Sequence, residues 1–538
     1  MNIEHLRKQA KDLLRLYRRQ DPAALARLRT ALPAARGKTD SALIAMQLRL
    51  HDMQSCIARE LGFASWPALK DDVELRHAKA QDARAFKHYW LRLVYGGDVA
   101  GGPGRAKPAI AARVLEQHPE LAADDSWLAC AIGNETALEH TIASDPGWVN
   151  RAGGLLNIPP IIAVTHSGFA RLDSHRESLR RCLKLLLDRG ADPNASIGNR
   201  WPPHSLEKPA SEKLTAIYGA AGKLHDERMT TLLLAAGADA NDGESLYHSL
   251  EDPRPELPCT RLLLEAGTRV AGTNALAKVL DVDNLAGLRM LLAHTGHGDP
   301  DLGRILHWAI CRGRSAAHVR AILDAGADPR ALDRHDVSHH AASFALPEVM
   351  RLLEKGGTGE PLTVEEKFVA ACARADDAEA RRLRLENPDI FARLSPAQLK
   401  QLPLMAMSGR DDAVRLMVEL GWPIGERGGD IDGSALNWAV FRGNPALTEF
   451  LLAHGASFRE PHGYGSDVLG TLGWASINTP RSDGDWAACA ASLLQAGLPV
   501  ATIDPFADQL PDFARILIDG RTMTLPREVA EVLIDPGT

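Results

Sequence analysis

The chain has 538 residues, of which 45% are apolar, 24% charged and 5% aromatic. That balance is ordinary for a folded protein and excludes a disordered chain. A net charge of −7 argues against general affinity for nucleic acid or a membrane surface, and no run of about 18 apolar residues is present to span a bilayer.

Residues 1–40 depart from the acidic whole, with ten Lys/Arg against four Asp/Glu, a local charge near +6. The spacing predicts an amphipathic helix over 3–20 with Leu6, Leu13, Leu14 and Tyr17 on its apolar face, and the charges as its solvated side. Asp21-Pro22 opens a second helix, Pro being tolerated in the first turn. A third is expected over about 41–61, ended by Gly62, with Ser65 as N-cap of a fourth. Residues 1–95 form, on this reading, a helical N-terminal module. The Gly/Pro-rich text at 96–108 is expected to be a linker. It lacks the Gly-Lys-Ser/Thr that a phosphate-cradling loop needs.

Beyond the linker one phrase recurs: a Leu-Leu pair, two or three residues, then Gly-Ala-Asp or a relative. It stands as Leu186-Leu187-Asp188-Arg189-Gly190-Ala191-Asp192 and as Leu233-Leu234-Ala235-Ala236-Gly237-Ala238-Asp239. Degraded copies end at Gly267, Gly326, Gly356, Gly421, Gly455 and Gly497, with weaker ones near Asp145, Gly296 and Pro388; successive spacings from Gly267 to Gly455 run from 29 to 34 residues, and spacings of 45, 47 and 42 occur where extra residues intervene. Upstream lies a second phrase, as in Leu306-His307-Trp308-Ala309 before Gly313 and Ser434-Ala435-Leu436-Asn437-Trp438-Ala439 before Gly443. Both halves, in this order and at this period, resemble the ankyrin-repeat family. The resemblance covers roughly 110–500 in about eleven imperfect copies. Several lack the family's Thr-Pro and some lack Gly-Ala-Asp. It implies an all-α solenoid of helix-turn-helix repeats over 109–500 and a C-terminal cap over 501–538. The physics agrees: the Leu pair buries against neighbouring repeats, and the Gly ends the second helix in the left-handed region. The text from Ala58 to Pro67 resembles a leader found ahead of ankyrin arrays in bacterial proteins, which implies a bacterial source.

Chemistry-bearing clusters are sparse. The seven cysteines are dispersed without CxxC spacing and read as reduced thiols in helices. With no secretory signal visible, a cytoplasmic location is expected. His335, Asp336, His339 and His340 could approach a metal site, but His339 and His307 fall at a framework position of the repeat. His51-Asp52 near Cys56 has no triad phrase. Asp430 and Asp432 lack the acid that would complete a calcium loop. No catalytic residue, metal or cofactor is expected.

The family resemblance places binding at the end of each first helix and at the finger tips. The position before the mid-repeat Gly gives Ile132, Arg312, Ser408 and Arg442; one residue earlier come Cys311, Met407 and Phe441. Less regular repeats offer Lys223, Phe344 and Arg374. Insertions at 165–178, 197–213 and 459–485 add Trp201 and Tyr464 as loop candidates, while Trp308 and Trp438 fall at framework positions. Arg and aromatics in such a row suit a protein interface, and the recurring bases suggest a partner with an acidic segment. The expected function is therefore an interaction module, an adaptor, inhibitor or regulatory subunit in a bacterial cytoplasm, that takes a protein and neither membrane nor nucleic acid. The alternatives are a secreted effector acting on host proteins, and an enzyme with its site in the N-terminal module or a repeat pocket.

Overall fold

The computed structural model describes residues 3–46, 48, 50–63, 66, 69, 72, 73, 75, 76, 79, 82–102, 104–122, 125–328, 341–344, 346–355, 361–478, 484–503 and 513–534. They fall into two compact units: Ala78–Val337, and a second made of Met1–His77 with Ser338–Thr538. Ser65 and the His335–His340 cluster lie outside the described residues.

In the second unit, the helices Ile3–Arg18, Pro22–Ala31, Asp40–Ala45 and Leu50–Glu60 share one core. Leu6, Leu13, Leu14 and Tyr17 all face it, as the periodicity predicts. The single helix expected over 41–61 is instead two helices, and the Tyr17 hydroxyl donates to the Leu43 carbonyl at 2.8 Å near the break. Buried Arg7 pairs with Glu531 of the last helix at 3.2 Å.

From Ser126 onward each unit is built of antiparallel helix pairs. Six first helices, or their equivalent, lie in the unit Ala78–Val337: Ser126–Ile132, Pro160–Thr165, the π-helical turn Tyr218–Lys223, Ser245–Ser249, Ala275–Asp281 and Leu302–Cys311. Each is followed by a second helix, as Ala275–Asp281 is by Leu285–Ala293 and Leu302–Cys311 by Ala316–Asp324. The other unit pairs Val364–Ala373 with Asp377–Glu386, Gln401–Met407 with Asp411–Glu419, Ala435–Phe441 with Pro445–Ala453, and Val468–Asn478 with Trp486–Gln495. The Leu-Leu text supplies the packing: Leu233, Leu263, Leu291 and Leu451 are fully buried in second helices. The glycine after the second helix is left-handed, with φ +90° at Gly237 and +96° at Gly455, where a side chain would be strained.

An asparagine that follows the second helix has a specific task. Asn194 donates its side-chain N–H to the Gly237 carbonyl (3.2 Å) and accepts from the Asp239 amide (2.7 Å). Asn150 does the same with Gly190 and Asp192, both at 2.8 Å. These bonds tie one finger to the next.

Three expectations need correction. The Gly-rich stretch after residue 95 is not an open linker: Val99 and Ala100 are buried, and a Cβ on Gly97 would lie 1.7 Å from the Gly102 carbonyl oxygen. Its glycines permit close packing, and the unit boundary falls at 77/78 instead. The insertion at 165–178 is partly interior, with Thr165, His166 and Ser167 fully buried. The C-terminal segment is not purely helical. Thr502–Ile503, Phe513–Ile518 and Arg521–Pro526 form a three-stranded antiparallel sheet under the helix Arg527–Ile534. Ala514, Ile516 and Ile518 are buried while Arg515 and Leu517 are exposed, the period-2 pattern of a strand. Asp519 and Gly520, both at positive φ, make its hairpin turn.

Candidate binding surface

The first helices of successive repeats stack, so residues one period apart become neighbours. In the unit Ala78–Val337 the resulting row is Tyr218, His248, Lys278 and Trp308, each thirty residues after the last. Its members are half-buried and occupied with one another. The Tyr218 and His248 rings meet edge to face at 5.3 Å. His248 lies 3.5 Å from both Glu244 and Glu251, and Glu251 pairs with Lys278 at 2.6 Å. Burial pushes the Glu251 carboxyl up, but His248 and Lys278 outweigh it and hold it at about 2. The Trp308 indole N–H donates to Asp281 (3.0 Å), which also takes the Arg312 guanidinium at 2.7 Å. That guanidinium lies 4.1 Å from the Trp308 ring centre, an arrangement that adds a cation–π attraction to the ion pair.

The predicted residues of this unit are therefore already engaged. Lys223 donates to Asp98 at 2.6 Å and to the Tyr95 carbonyl at 2.8 Å. Cys311 is buried, its sulfur 3.4 Å from His307 Nε2. Ile132 is half-buried at the end of its helix. Trp201 packs towards Gly97 at the base of its loop, where neighbouring Arg200 is buried and donates to the carbonyls of Val99 and Leu156, both at 2.8 Å. His166 is fully enclosed beside Tyr218. Burial, with Lys223 nearby, pushes its imidazole down to about 3.

The other unit presents a different face. Met407, Phe441 and Trp474 occupy the same position of three consecutive first helices. The Phe441 and Trp474 rings stack at 5.6 Å and 16°. Trp438 supports Phe441 from below at 5.3 Å; it is buried and donates its indole N–H to the Gly428 carbonyl at 2.9 Å. Trp474 remains 56% exposed. Tyr464 is 78% exposed at the tip of a turn closed by the His462 amide on the Ser466 carbonyl (2.8 Å). Beside the row, Arg442 is spent on Asp411 (2.8 Å) and the Ala406 carbonyl. Ser408 donates to the Leu404 carbonyl. Arg374 is exposed, its nearest paired carboxylate, Asp376, being 4.0 Å away.

Phe344 needs correction as a contact residue. It is 1% exposed and contributes to the core, its ring being removed from water by the fold and not left for a partner to cover. Trp474, in contrast, escaped the motif because its repeat lacks the mid-repeat Gly. Its register is nevertheless set by the cap. Asp467 accepts the Gly470 amide as Ser434 accepts that of Asn437, and Trp474 and Phe441 each stand seven residues beyond their cap.

Among the described residues no group of three or more His, Cys, Asp or Glu is arranged to hold a metal. Cys56 is buried near Glu60, and burial pushes its thiol up to about 12. Asp432 closes its own turn by pairing with Arg427. No described helix is long and apolar enough to cross a membrane.

Residues 404–452 match the family model described as ankyrin repeats (many copies). No curated protein matches the chain. Among solved structures the chain is similar to the ankyrin repeat domain of Bcl-3, titled a unique member of the IkappaB protein family, at 20% identity over 49% of this chain and 99% of that one, with a TM-score of 0.21. It is also similar to the human ASB11 ankyrin repeat domain, at 19% identity over 53% of this chain and 99% of that one, with a TM-score of 0.18.

Proposed function

We propose that this ankyrin-repeat protein acts by holding another protein against the row Met407, Phe441 and Trp474, with Tyr464 on the neighbouring finger as a further contact. The observation that carries the reading is the stacked aromatic pair of half-buried Phe441 and exposed Trp474, held over buried Trp438. Rigid aromatics on a supported platform bury much area at small entropic cost, which is why they dominate interface energies. The partner segment in this reading is apolar where it meets the row. Acidic character matters most at exposed Arg374, whose carboxylate partner Asp376 is 4.0 Å away, since Lys223, Arg312 and Arg442 hold theirs at 2.6–2.8 Å. The role proposed is that of an adaptor, inhibitor or regulatory subunit in a bacterial cytoplasm, working without covalent chemistry at this face.

The test is affinity capture by the full chain and by Phe441→Ala and Trp474→Ala side by side, with quantitative identification of what each retains. A protein retained by the native chain and lost from both variants supports the reading. Equal retention by all three removes this face from the binding site.

A further inference from the structure

A nucleophile and a base meet at the turn before the helix Ala316–Asp324. Second helices in this chain are commonly capped by Asp or Asn, whose side chain accepts an amide of the first turn: Asn134, Asp226, Asn284, Asp376, Asn444 and Asp485 all do so. Ser315 holds the same place and is equally able to cap, yet it makes no such bond. Its hydroxyl instead lies 2.9 Å from His318 Nδ1. The other imidazole nitrogen, Nε2, faces Asp283 Oδ1 at 3.5 Å, an ion-pair distance longer than a hydrogen bond. Asp283 sits in a left-handed turn (φ +57°), and its second oxygen is held by Arg314 at 2.7 Å. Ser315 is exposed and His318 is buried.

The geometry points to Ser315 as an activated nucleophile toward small, reactive carboxylic esters, with His318 as its general base and Asp283 as the positioning residue. An Asp carboxylate facing Nε2 favours the tautomer with its proton there, which leaves the Nδ1 lone pair to accept from the Ser315 hydroxyl. In the forward step Oγ bonds to the ester carbonyl carbon as its proton passes to His318 Nδ1. The C–O bond to the alcohol then breaks, and the leaving oxygen takes that proton. Water, deprotonated by the same nitrogen, attacks the acyl-serine, releases the acid and restores Ser315. The cap that is not made matters here. The first amides of a helix have no intrahelical acceptor, and Ser315 leaves those of its own helix without a side-chain cap, so that they are donors available to a tetrahedral oxyanion formed at Oγ. Burial lowers the His318 imidazole against the pull of Asp283, with Arg314 and Arg289 lowering it further, so that it is the neutral base at pH 7. The site is open, so it selects by reactivity more than by shape.

The test uses the full chain with 4-nitrophenyl acetate, followed by release of nitrophenolate and by mass spectrometry of the acylated peptide, and in parallel a fluorophosphonate probe. The expected result is one phosphonyl group per chain on Ser315 from the fluorophosphonate and nitrophenolate release through an acyl-Ser315 from the ester, with neither in the Ser315→Ala protein. His318→Gln should slow labelling by about a hundredfold, the scale of a lost general base. Asp283→Asn should move the midpoint of the labelling pH profile, which a purely structural role would not do. Melting temperatures of the variants, at an exposed serine and an exposed aspartate, establish that they fold. Label on a lysine or another serine, or equal labelling of Ser315→Ala and native chain, overturns the proposal.

Discussion

Two rows of first helices are built on one plan and have opposite chemistry. In the row Tyr218, His248, Lys278 and Trp308, the side chains meet partners in their own or the adjacent repeat, and the arginine covers the tryptophan. In the row Met407, Phe441 and Trp474 the rings stack on each other and stop at solvent. The first arrangement spends its interactions on joining repeats. The second leaves apolar area unspent, and apolar area is what a partner can remove from water, at about 25 cal/mol per Å². A period of thirty residues by itself thus fixes who the neighbours are, not whether they satisfy one another.

The comparison can be broken most severely at Trp438, the buried support of the apolar row. Trp438→Ala should cost about 3–5 kcal/mol in urea unfolding and abolish partner capture with it. A loss below about 1 kcal/mol would mean that the row needs no platform.

Acid should separate the two units next. His166 is neutral and buried in the folded chain, at about 3, against roughly 6.5 when unfolded. The unfolded chain therefore binds the extra proton as pH falls below about 6.5. Stability of the unit Ala78–Val337 should be level above that pH and fall by as much as about 1.4 kcal/mol per pH unit towards 3. In His166→Gln the slope should be reduced whatever its absolute stability, as measured by denaturant midpoints at several pH values. An unchanged slope would assign the acid sensitivity to other groups.

Trp474→Ala sharpens the contrast at smaller cost. It should weaken partner binding by about 2 kcal/mol, roughly thirtyfold, while shifting the unfolding midpoint little, because more than half of the ring is already in water. Asp281→Ala should do the reverse. It removes the acceptor shared by Trp308 and Arg312 and should cost about 1 kcal/mol of stability, leaving capture through the apolar row intact. Capture lost in Asp281→Ala would place the binding face in the wrong unit.

Much of this molecule is visible in its text because the signals are local. A Leu pair followed by Gly fixes a helix and its left-handed end within eight residues, through sterics and hydrophobic periodicity alone. The apolar face of the first helix, from Leu6 to Tyr17, is legible for the same reason. Met407, Phe441 and Arg374 were reachable by register from the mid-repeat turn. The C-terminal strands were also written in the text, in the alternation of Phe513–Ile518 and the Asp519-Gly520 turn, but the repeat pattern before them biases the reading toward helix.

What the sequence determined by itself is the period, the helix ends and the apolar ladder, since each depends on residues a few positions apart. Tertiary structure alone decided that Arg312 is neutralised by Asp281, thirty-one residues earlier, that Phe344 faces inward, and that the glycines after residue 95 are packed against one another. It alone set Ser315 and His318 against Asp283 from the preceding repeat. A charge or a hydroxyl is free or spent according to what the neighbouring repeat brings within 3 Å, and that depends on how the repeats stack.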